Sequence, residues 1–281
     1  MKNLLLALSL LSTQVAFSQS MIVMNNGKVI TLDEEGMTYD LGNFLLPSSI
    51  KHIGGRYLID NDRKLRLVDR NGLFYDKTKE DKAPVKIEHF GENFFISKLG
   101  KMFTVDDAGF LFEADKEREF RNIKHKGGNF VIAEKKVEKE KKLVLFAVNN
   151  RGGIVEVSNI PVNLDLVNYV GGQFFTTTQG ELFTVSEDGF VYSKKDMGKF
   201  NGWELRKGGN YFMVRDALYT VAQNGILSSA GFSSDFTNVR HYGTNFFITN
   251  SGALYTVTAS GVVRQMPLNY KLSDISVFSR L

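Results

Sequence analysis

One spacing recurs seven times along the chain: a Leu or Val is followed four residues later by a Gly. The pairs are Leu32/Gly36, Val68/Gly72, Val105/Gly109, Val148/Gly152, Val185/Gly189, Val221/Gly225 and Val257/Gly261. Successive pairs are offset by 36, 37, 43, 37, 36 and 36 residues. Self-similarity with a period of this length is typical of repeat architectures. Most of the 281 residues are therefore predicted to form copies of one unit rather than unrelated domains.

Each unit contains four short runs of aromatic and β-branched residues, which favour strands. In the third copy the runs are Val85–Phe90, Phe94–Ser97, Met102–Val105 and Phe110–Glu113. Pairs such as Gly127-Gly128 separate the first run from the second, and turns such as Asp69-Arg70-Asn71-Gly72 separate the third from the fourth. Gly allows the positive φ of a tight turn, and Asp first with Gly fourth fits a type I turn. The unit is therefore predicted to be a four-stranded antiparallel meander.

A meander of about 36 residues, repeated in this way, resembles the blade of a β-propeller. The first copy begins with its second strand at Met21, and the run Ile275–Arg280 has the spacing of a first strand without a following copy. The two chain ends are therefore predicted to complete one blade. The resemblance implies an all-β fold, a seven-bladed β-propeller of four-stranded antiparallel blades, with the ring closed by N-terminal strands and the C-terminal strand in one blade.

The first 18 residues have the features of a secretory signal peptide. Lys2 precedes the apolar run Leu4–Leu11, and Ala16-Phe17-Ser18 is a small-x-small cleavage site. The apolar run is too short to cross a bilayer. We therefore predict a signal peptide at residues 1–18, a single propeller domain at residues 19–281, and a periplasmic or secreted location.

Composition excludes several classes of site and partner. The chain has no Cys, so disulfides and a Cys-linked lipid anchor are excluded. The net charge is only +4, which does not favour nucleic-acid binding. No later segment has the apolar length of an integral membrane helix. Phosphate-binding loops, His-Glu-x-x-His and Gly-x-Ser-x-Gly motifs are also missing from the sequence. No cofactor or metal is therefore expected.

All four histidines occupy one repeat position, two residues before the Gly-rich turn: His52, His89, His125 and His241. If the first strand is innermost, they form a partial ring near the axis, where imidazoles could bind a metal or transfer protons. Alternation along the strand instead puts His52 on the same face as Ile50, packed between neighbouring blades. Glu88 beside His89 is the one adjacent carboxylate, so packing is the stronger interpretation.

The fourth copy is the long one, and its extra residues lie between the second and third strands. They contain Lys135, Lys136, Lys139, Lys141 and Lys142, interleaved with Glu138 and Glu140. Such a hairpin could contact an acidic protein, a phosphate-rich lipid or a glycan, or could be a solvated extension. Segments that depart from a regular scaffold often carry function. The lysines are therefore the candidate binding residues, on the rim that also carries the links between blades.

These features favour an exported, monomeric, non-enzymatic propeller that binds a protein or cell-envelope component through its loop rim. One alternative is a hydrolase or lyase that acts on a glycan or peptide near the axis through the four histidines. The resemblance permits this, since some propeller lyases use a His and a divalent metal. A further alternative is a lectin.

Overall fold

The chain forms seven four-stranded antiparallel sheets in a ring, which confirms the predicted all-β, seven-bladed propeller. The computed structural model describes residues 20–33, 35–43, 46–69, 71–76, 86–114, 120–137, 140–194, 199–200, 205–267 and 271–279. The predicted signal peptide, residues 1–18, lies outside the described residues.

The strands are numbered in chain order. Blade 1 contains β1 (Ser20–Met24), β2 (Lys28–Leu32) and β3 (Thr38–Asn43); blade 2 contains β4 (Ile50–Ile53), β5 (Tyr57–Asp60), β6 (Leu65–Val68) and β7 (Phe74–Asp76); blade 3 contains β8 (Ile87–Phe90), β9 (Phe94–Ser97), β10 (Met102–Val105) and β11 (Leu111–Ala114); blade 4 contains β12 (Ile123–Lys126), β13 (Phe130–Val137), β14 (Glu140–Val148) and β15 (Ile154–Glu156). Blade 5 contains β16 (Val167–Val170), β17 (Phe174–Thr177), β18 (Leu182–Val185) and β19 (Val191–Ser193); blade 6 contains β20 (Leu205–Lys207), β21 (Tyr211–Val214), β22 (Ala217–Val221) and β23 (Leu227–Phe232); blade 7 contains β24 (Val239–Tyr242), β25 (Phe246–Thr249), β26 (Leu254–Val257) and β27 (Val263–Met266); β28 (Ile275–Phe278) returns to blade 1.

Short 3-10 helices introduce several of these first strands. They span Pro47–Ser49, Leu164–Leu166, Ser234–Thr237 and Leu272–Asp274. No helix in the described part of the chain has the length and apolar character that a membrane span requires.

The third copy shows how closely the sequence pattern predicts strand bounds. The second and third strands, Phe94–Ser97 and Met102–Val105, have the predicted ends. The first strand begins at Ile87, and the predicted start at Val85 lies outside the described residues. The fourth strand is Leu111–Ala114 rather than Phe110–Glu113. Strand ends depend on where ladder pairing begins, which the side-chain pattern does not determine.

The two chain ends meet in blade 1, as predicted. β28 pairs antiparallel with β1, with Ile22 opposite Phe278. The Ser279 N–H extends this pairing by donating to the Met21 carbonyl oxygen at 3.0 Å. The ring is therefore closed by backbone hydrogen bonds between the N-terminal and C-terminal strands.

The apolar core is divided among the gaps between blades. The aromatic residue that opens the second strand is fully buried in six blades: Tyr57, Phe94, Phe130, Phe174, Tyr211 and Phe246. The ring centroids of Phe174 and Phe212, on adjacent blades, are 4.8 Å apart. The Tyr57 hydroxyl donates across its gap to the Phe94 carbonyl oxygen at 2.9 Å. Burial of this apolar surface holds each blade against the next.

The turns between first and second strands form a chain of backbone hydrogen bonds around the axis. The pairs include Gly55 N–H to Glu92 O (2.8 Å), Glu92 N–H to Gly128 O (2.8 Å), Gly128 N–H to Gly172 O (2.9 Å) and Gly209 N–H to Thr244 O (2.6 Å). A Cβ atom on Gly172 would lie 2.3 Å from Gly209 O. Glycine is therefore required where blades 5 and 6 approach each other.

A second set of bonds joins the third strands of four blades to a turn in the next blade. A Thr hydroxyl donates to the carbonyl oxygen of the repeated Gly: Thr31 to Gly72 (2.9 Å), Thr104 to Gly152 (2.7 Å), Thr184 to Gly225 (2.7 Å) and Thr220 to Gly261 (2.8 Å). Each of these Thr residues directly precedes the Leu or Val of the repeated pair. At these four positions the repeated spacing therefore coincides with a bond between blades as well as with a turn within one.

We predict that Phe278→Ala destabilises the ring closure. Phe278 is 5% exposed and packs against Ile22 and Phe246, and deletion of a buried aromatic ring costs about 3–5 kcal/mol. Phe232→Ala is the control, because Phe232 is 74% exposed and its loss should cost less than about 0.5 kcal/mol. Chemical denaturation measures both values, and equal losses would contradict closure through β28.

Candidate functional site

The extra residues of the fourth copy lengthen one hairpin. β13 and β14 have 8 and 9 residues, whereas the equivalent strands of blade 3 have 4 each. Their pairing continues without a shift from Phe130 opposite Ala147 to Val137 opposite Glu140. The insertion is therefore a regular β-hairpin that projects beyond the body of the blade.

Two of the candidate lysines pair with carboxylates at the base of this hairpin. Lys135 Nζ lies 2.7 Å from Glu156 Oε2, and Lys141 Nζ lies 3.4 Å from Glu134 Oε2. The pairing with Asn122 and with Lys141 and Lys124 lowers the pKa of Glu134. Exposed ion pairs contribute little to stability, so these lysines can exchange a carboxylate of the chain for one of a ligand.

Of the other candidate lysines, Lys142 lies opposite Lys135, and Lys136 lies one pair nearer the tip of the hairpin. Lys142 Nζ is 3.5 Å from Glu140 Oε2. Lys136 is exposed and lies opposite Lys141 in the ladder. Lys139 lies outside the described residues. The hairpin is therefore a mixed-charge surface and not a uniformly basic one.

A pocket of about 560 Å³ lies between the hairpin and the link from blade 4 to blade 5. We call it the rim pocket. The hairpin contributes Lys141, Lys142 and Leu143, and the link contributes residues that include Ile160 and Val162. The hairpin and the link therefore share one rim, and the pocket combines charged groups with apolar side chains.

β14 has an open edge along the rim pocket. The Val157 N–H donates to the Leu145 carbonyl oxygen at 2.9 Å, so the backbone groups of Leu145 face the link and not β13. Backbone directions alternate along a strand, so the N–H and C=O groups of Leu143 and Lys141 face the same way. β15 ends at Glu156, and no described strand continues beside Leu143. Backbone donors and acceptors therefore face the rim pocket.

The histidines lie on the first strands of four blades, and two of them contact the aromatic ring of the following blade. The centroid of His52 is 5.3 Å from that of Phe90, and the centroid of His241 is 5.1 Å from that of Phe278. A register shift between Ile50 and His52 breaks the expected alternation, so the two side chains do not share a face. His52 still packs between two blades, but its partner is Phe90 of the following blade.

The surroundings of the histidines favour the neutral imidazole. Burial is the main cause that lowers the pKa of His52, His89 and His125. Glu88 opposes this effect at His89, whereas Lys126 adds to it. Within the described ranges, no group of three or more His, Cys, Asp or Glu side chains is arranged to hold a metal ion.

A ring of polar residues at the axis was missed by the sequence analysis. The members directly precede or begin the second strands and are each at most 5% exposed: Ser20, Arg56, Asn93, Asn129, Gln173, Asn210 and Asn245. Asn210 Nδ2, for example, donates to the Val257 and Thr258 carbonyl oxygens of the next blade at 3.2 and 3.1 Å. The sequence feature that could have revealed this ring is the amide or other polar residue that directly precedes each recurrent aromatic residue.

Part of this ring encloses a small polar cavity at the Gly-rich end of the axis. Arg56, Glu92, Asn129 and Glu187 are among its walls, and its free volume is about 10 Å³. That volume suits about one water molecule. This cavity therefore has no room for an organic ligand.

Stability is predicted to fall as the pH drops just below 6.5. His52, His89 and His125 have folded pKa values below their ordinary 6.5, so the unfolded chain binds more protons in this window. Their contribution is complete above pH 6.5 and is lost as the pH falls through the folded pKa values. Melting temperatures are measured every half pH unit through this window. They should fall less steeply in the variant H52Q/H89Q/H125Q than in the unmodified protein. Superimposable profiles would contradict the assignment.

Comparison with known proteins gives propellers at low sequence identity. No protein-family model matches the sequence, and comparison with curated proteins gives no match. A solved streptogramin B lyase is 12% identical, with 91% of this chain and 96% of that chain covered and a TM-score of 0.35. Virginiamycin B lyase from Staphylococcus aureus is 11% identical, with coverages of 90% and 94% and a TM-score of 0.38. PorZ from Porphyromonas gingivalis, a surface component of the type-IX secretion system, is 11% identical, with coverages of 92% and 39% and a TM-score of 0.36. These likenesses concern the fold alone.

Proposed function

We propose that the chain is an exported, non-enzymatic binding module that captures an extended segment of a partner protein in the rim pocket. The observation that carries this proposal is the open edge of β14, where the backbone groups of Lys141 and Leu143 face a pocket of about 560 Å³. An extended peptide can add a strand to such an edge through main-chain hydrogen bonds.

The walls of the rim pocket indicate which segment would fit. Leu143, Ile160 and Val162 are partly buried apolar side chains that already pack against the core between blades 4 and 5. They offer a surface for alternate apolar residues of an added strand. Lys141 and Lys142 also line the pocket, and both are exposed. Glu134 and Asp165 also line the pocket, and Lys141 pairs with Glu134. The matching segment therefore has apolar residues on one face and, on the other, a carboxylate that replaces Glu134 as the partner of Lys141.

The contacts of the histidines favour binding at the rim over catalysis at the axis. His52 and His241 contact Phe90 and Phe278 of the following blades, as packing groups do. General acid-base catalysis needs imidazoles in hydrogen-bond reach of the reacting atoms and of an orienting partner. The hairpin and link, in contrast, form a pocket that packing of the blades alone does not require.

The test of the proposal uses two substitutions at one residue. Lys141→Pro removes the N–H that faces the rim pocket but no ladder bond to β13, because the Lys141 backbone faces away from that strand. Edge strands tolerate such a proline. Lys141→Ala removes the charge and keeps the N–H. Tagged protein lacking residues 1–18 is used to capture partners from the envelope fraction and culture fluid, at low and high salt, and affinities are measured with the captured partner.

We expect Lys141→Pro to weaken binding about tenfold, as the loss of a main-chain hydrogen bond implies, and Lys141→Ala to weaken it much less. Circular dichroism and the melting temperature verify that both variants are folded. If both variants bind like the unmodified protein, the rim pocket is not the binding site. Equal weakening would indicate recognition by the lysine charge and would contradict strand addition.

A further inference from the structure

The first strands of the blades, which we call the inner strands, carry an unbalanced charge. Their charged residues are the cations Lys51, Lys124, Lys126, Arg206, Lys207 and Arg240 and the single carboxylate Glu88. The whole chain is nearly balanced, with 35 Lys and Arg against 31 Asp and Glu. A surplus of positive charge is therefore concentrated on the inner strands, although the surplus of the whole chain is small.

Two of these cations are half-buried between inner strands. Lys126 Nζ donates to the Phe90 carbonyl oxygen at 3.0 Å and lies 4.1 Å from the centroid of the Phe90 ring. Lys207 Nζ donates to the Val170 carbonyl oxygen and lies 4.7 Å from the Tyr169 ring centroid. An ammonium has three donors, so each lysine can still donate to a ligand.

Both ammonium groups are partly removed from water. Burial lowers the pKa of both, and the charge of Lys126 lowers that of Lys207 further. Among the described residues, no carboxylate forms an ion pair with either group. A half-buried charge loses hydration, whereas an apolar side chain at these positions would pack without that cost. An electrostatic conflict of this kind is typical of ligand sites.

A cavity of about 300 Å³ lies beside Lys207, at the inner strands of blades 6, 7 and 1. We call it the axial pocket. Its walls include Lys207, Arg240, His241, Tyr242 and Phe278, and no Asp or Glu lies among the described residues that line it. The volume is at the lower end of the range for small-molecule sites. The axial pocket therefore combines two cationic side chains with aromatic surface.

We propose that the axial pocket binds a small organic anion, with Lys207 and Arg240 donating to its carboxylate or phosphate oxygens. Charge-assisted hydrogen bonds from an ammonium and a guanidinium are the strong contacts that such oxyanions make. Tyr242 and Phe278 supply apolar surface for the remainder of the molecule.

Binding is tested by calorimetry and by the shift in melting temperature with two pairs of probes. Glucuronate is compared with glucose, which has the same ring without the carboxylate, and sodium phosphate is compared with sodium chloride at equal ionic strength. The variants are Lys207→Met and the control Lys194→Met. Lys194 is also half-buried, with its Nζ 5.3 Å from the Tyr192 ring centroid, but it follows the outer strand of blade 5.

We expect glucuronate, phosphate or both to bind saturably, and Lys207→Met to weaken that binding at least about tenfold. Lys194→Met should bind like the unmodified protein. The glucuronate and phosphate arms distinguish a carboxylate ligand from a phosphate ligand. Saturable binding that survives Lys207→Met, equal binding of glucose and glucuronate without phosphate binding, or no binding by any probe would overturn the proposal.

Discussion

The close approach of Gly-rich turns at the axis is the constraint on which the rest of the fold depends. Neighbouring turns are joined by backbone hydrogen bonds, such as that from Gly128 N–H to Gly172 O. A side chain on Gly172 would collide with the Gly209 backbone. Because the turns come this close, the blades radiate from a narrow centre that is lined by the inner strands. The aromatic rings that follow them then fill the widening gaps between blades.

The bonds between blades also explain where the sequence can vary. The Gly-rich turns at the axis and the Thr–Gly contacts farther out lie at the same end of the blades, since strand 1 and strand 3 both run toward that end. The turns between second and third strands lie at the opposite end, together with the links. The hairpin of β13 and β14 could lengthen there without breaking a Thr–Gly contact: Thr104 still reaches Gly152. Sequence variation between the copies is therefore concentrated at the end of the blades that is free of these contacts. The rim pocket lies at that end.

The repeat spacing was sufficient to predict the number of blades, the four strands of each blade and the pairing of β28 with β1. These features follow from side-chain alternation and turn chemistry, which are local. The register shift beside His52 was not predictable, because a bulge depends on the facing strand. The polar ring was visible as a repeated residue type, but its burial follows from the convergence of the turns. The rim pocket was anticipated only as a lysine-rich insertion, because its second wall comes from a link whose path the sequence pattern does not determine.

Stability and the proposed ligand recognition belong to different positions of the same repeat. The aromatic residue of the second strand, the Thr of the third strand and the glycines of the turns hold neighbouring blades together. The inner-strand position just before the Gly-rich turn is not fixed by these contacts, and it holds residues as different as Ile53, Phe90, Lys126 and Lys207. A scaffold whose blades are joined elsewhere can tolerate half-buried cations at that position. The positive charge of the inner strands is therefore a feature that the fold permits and that packing does not require.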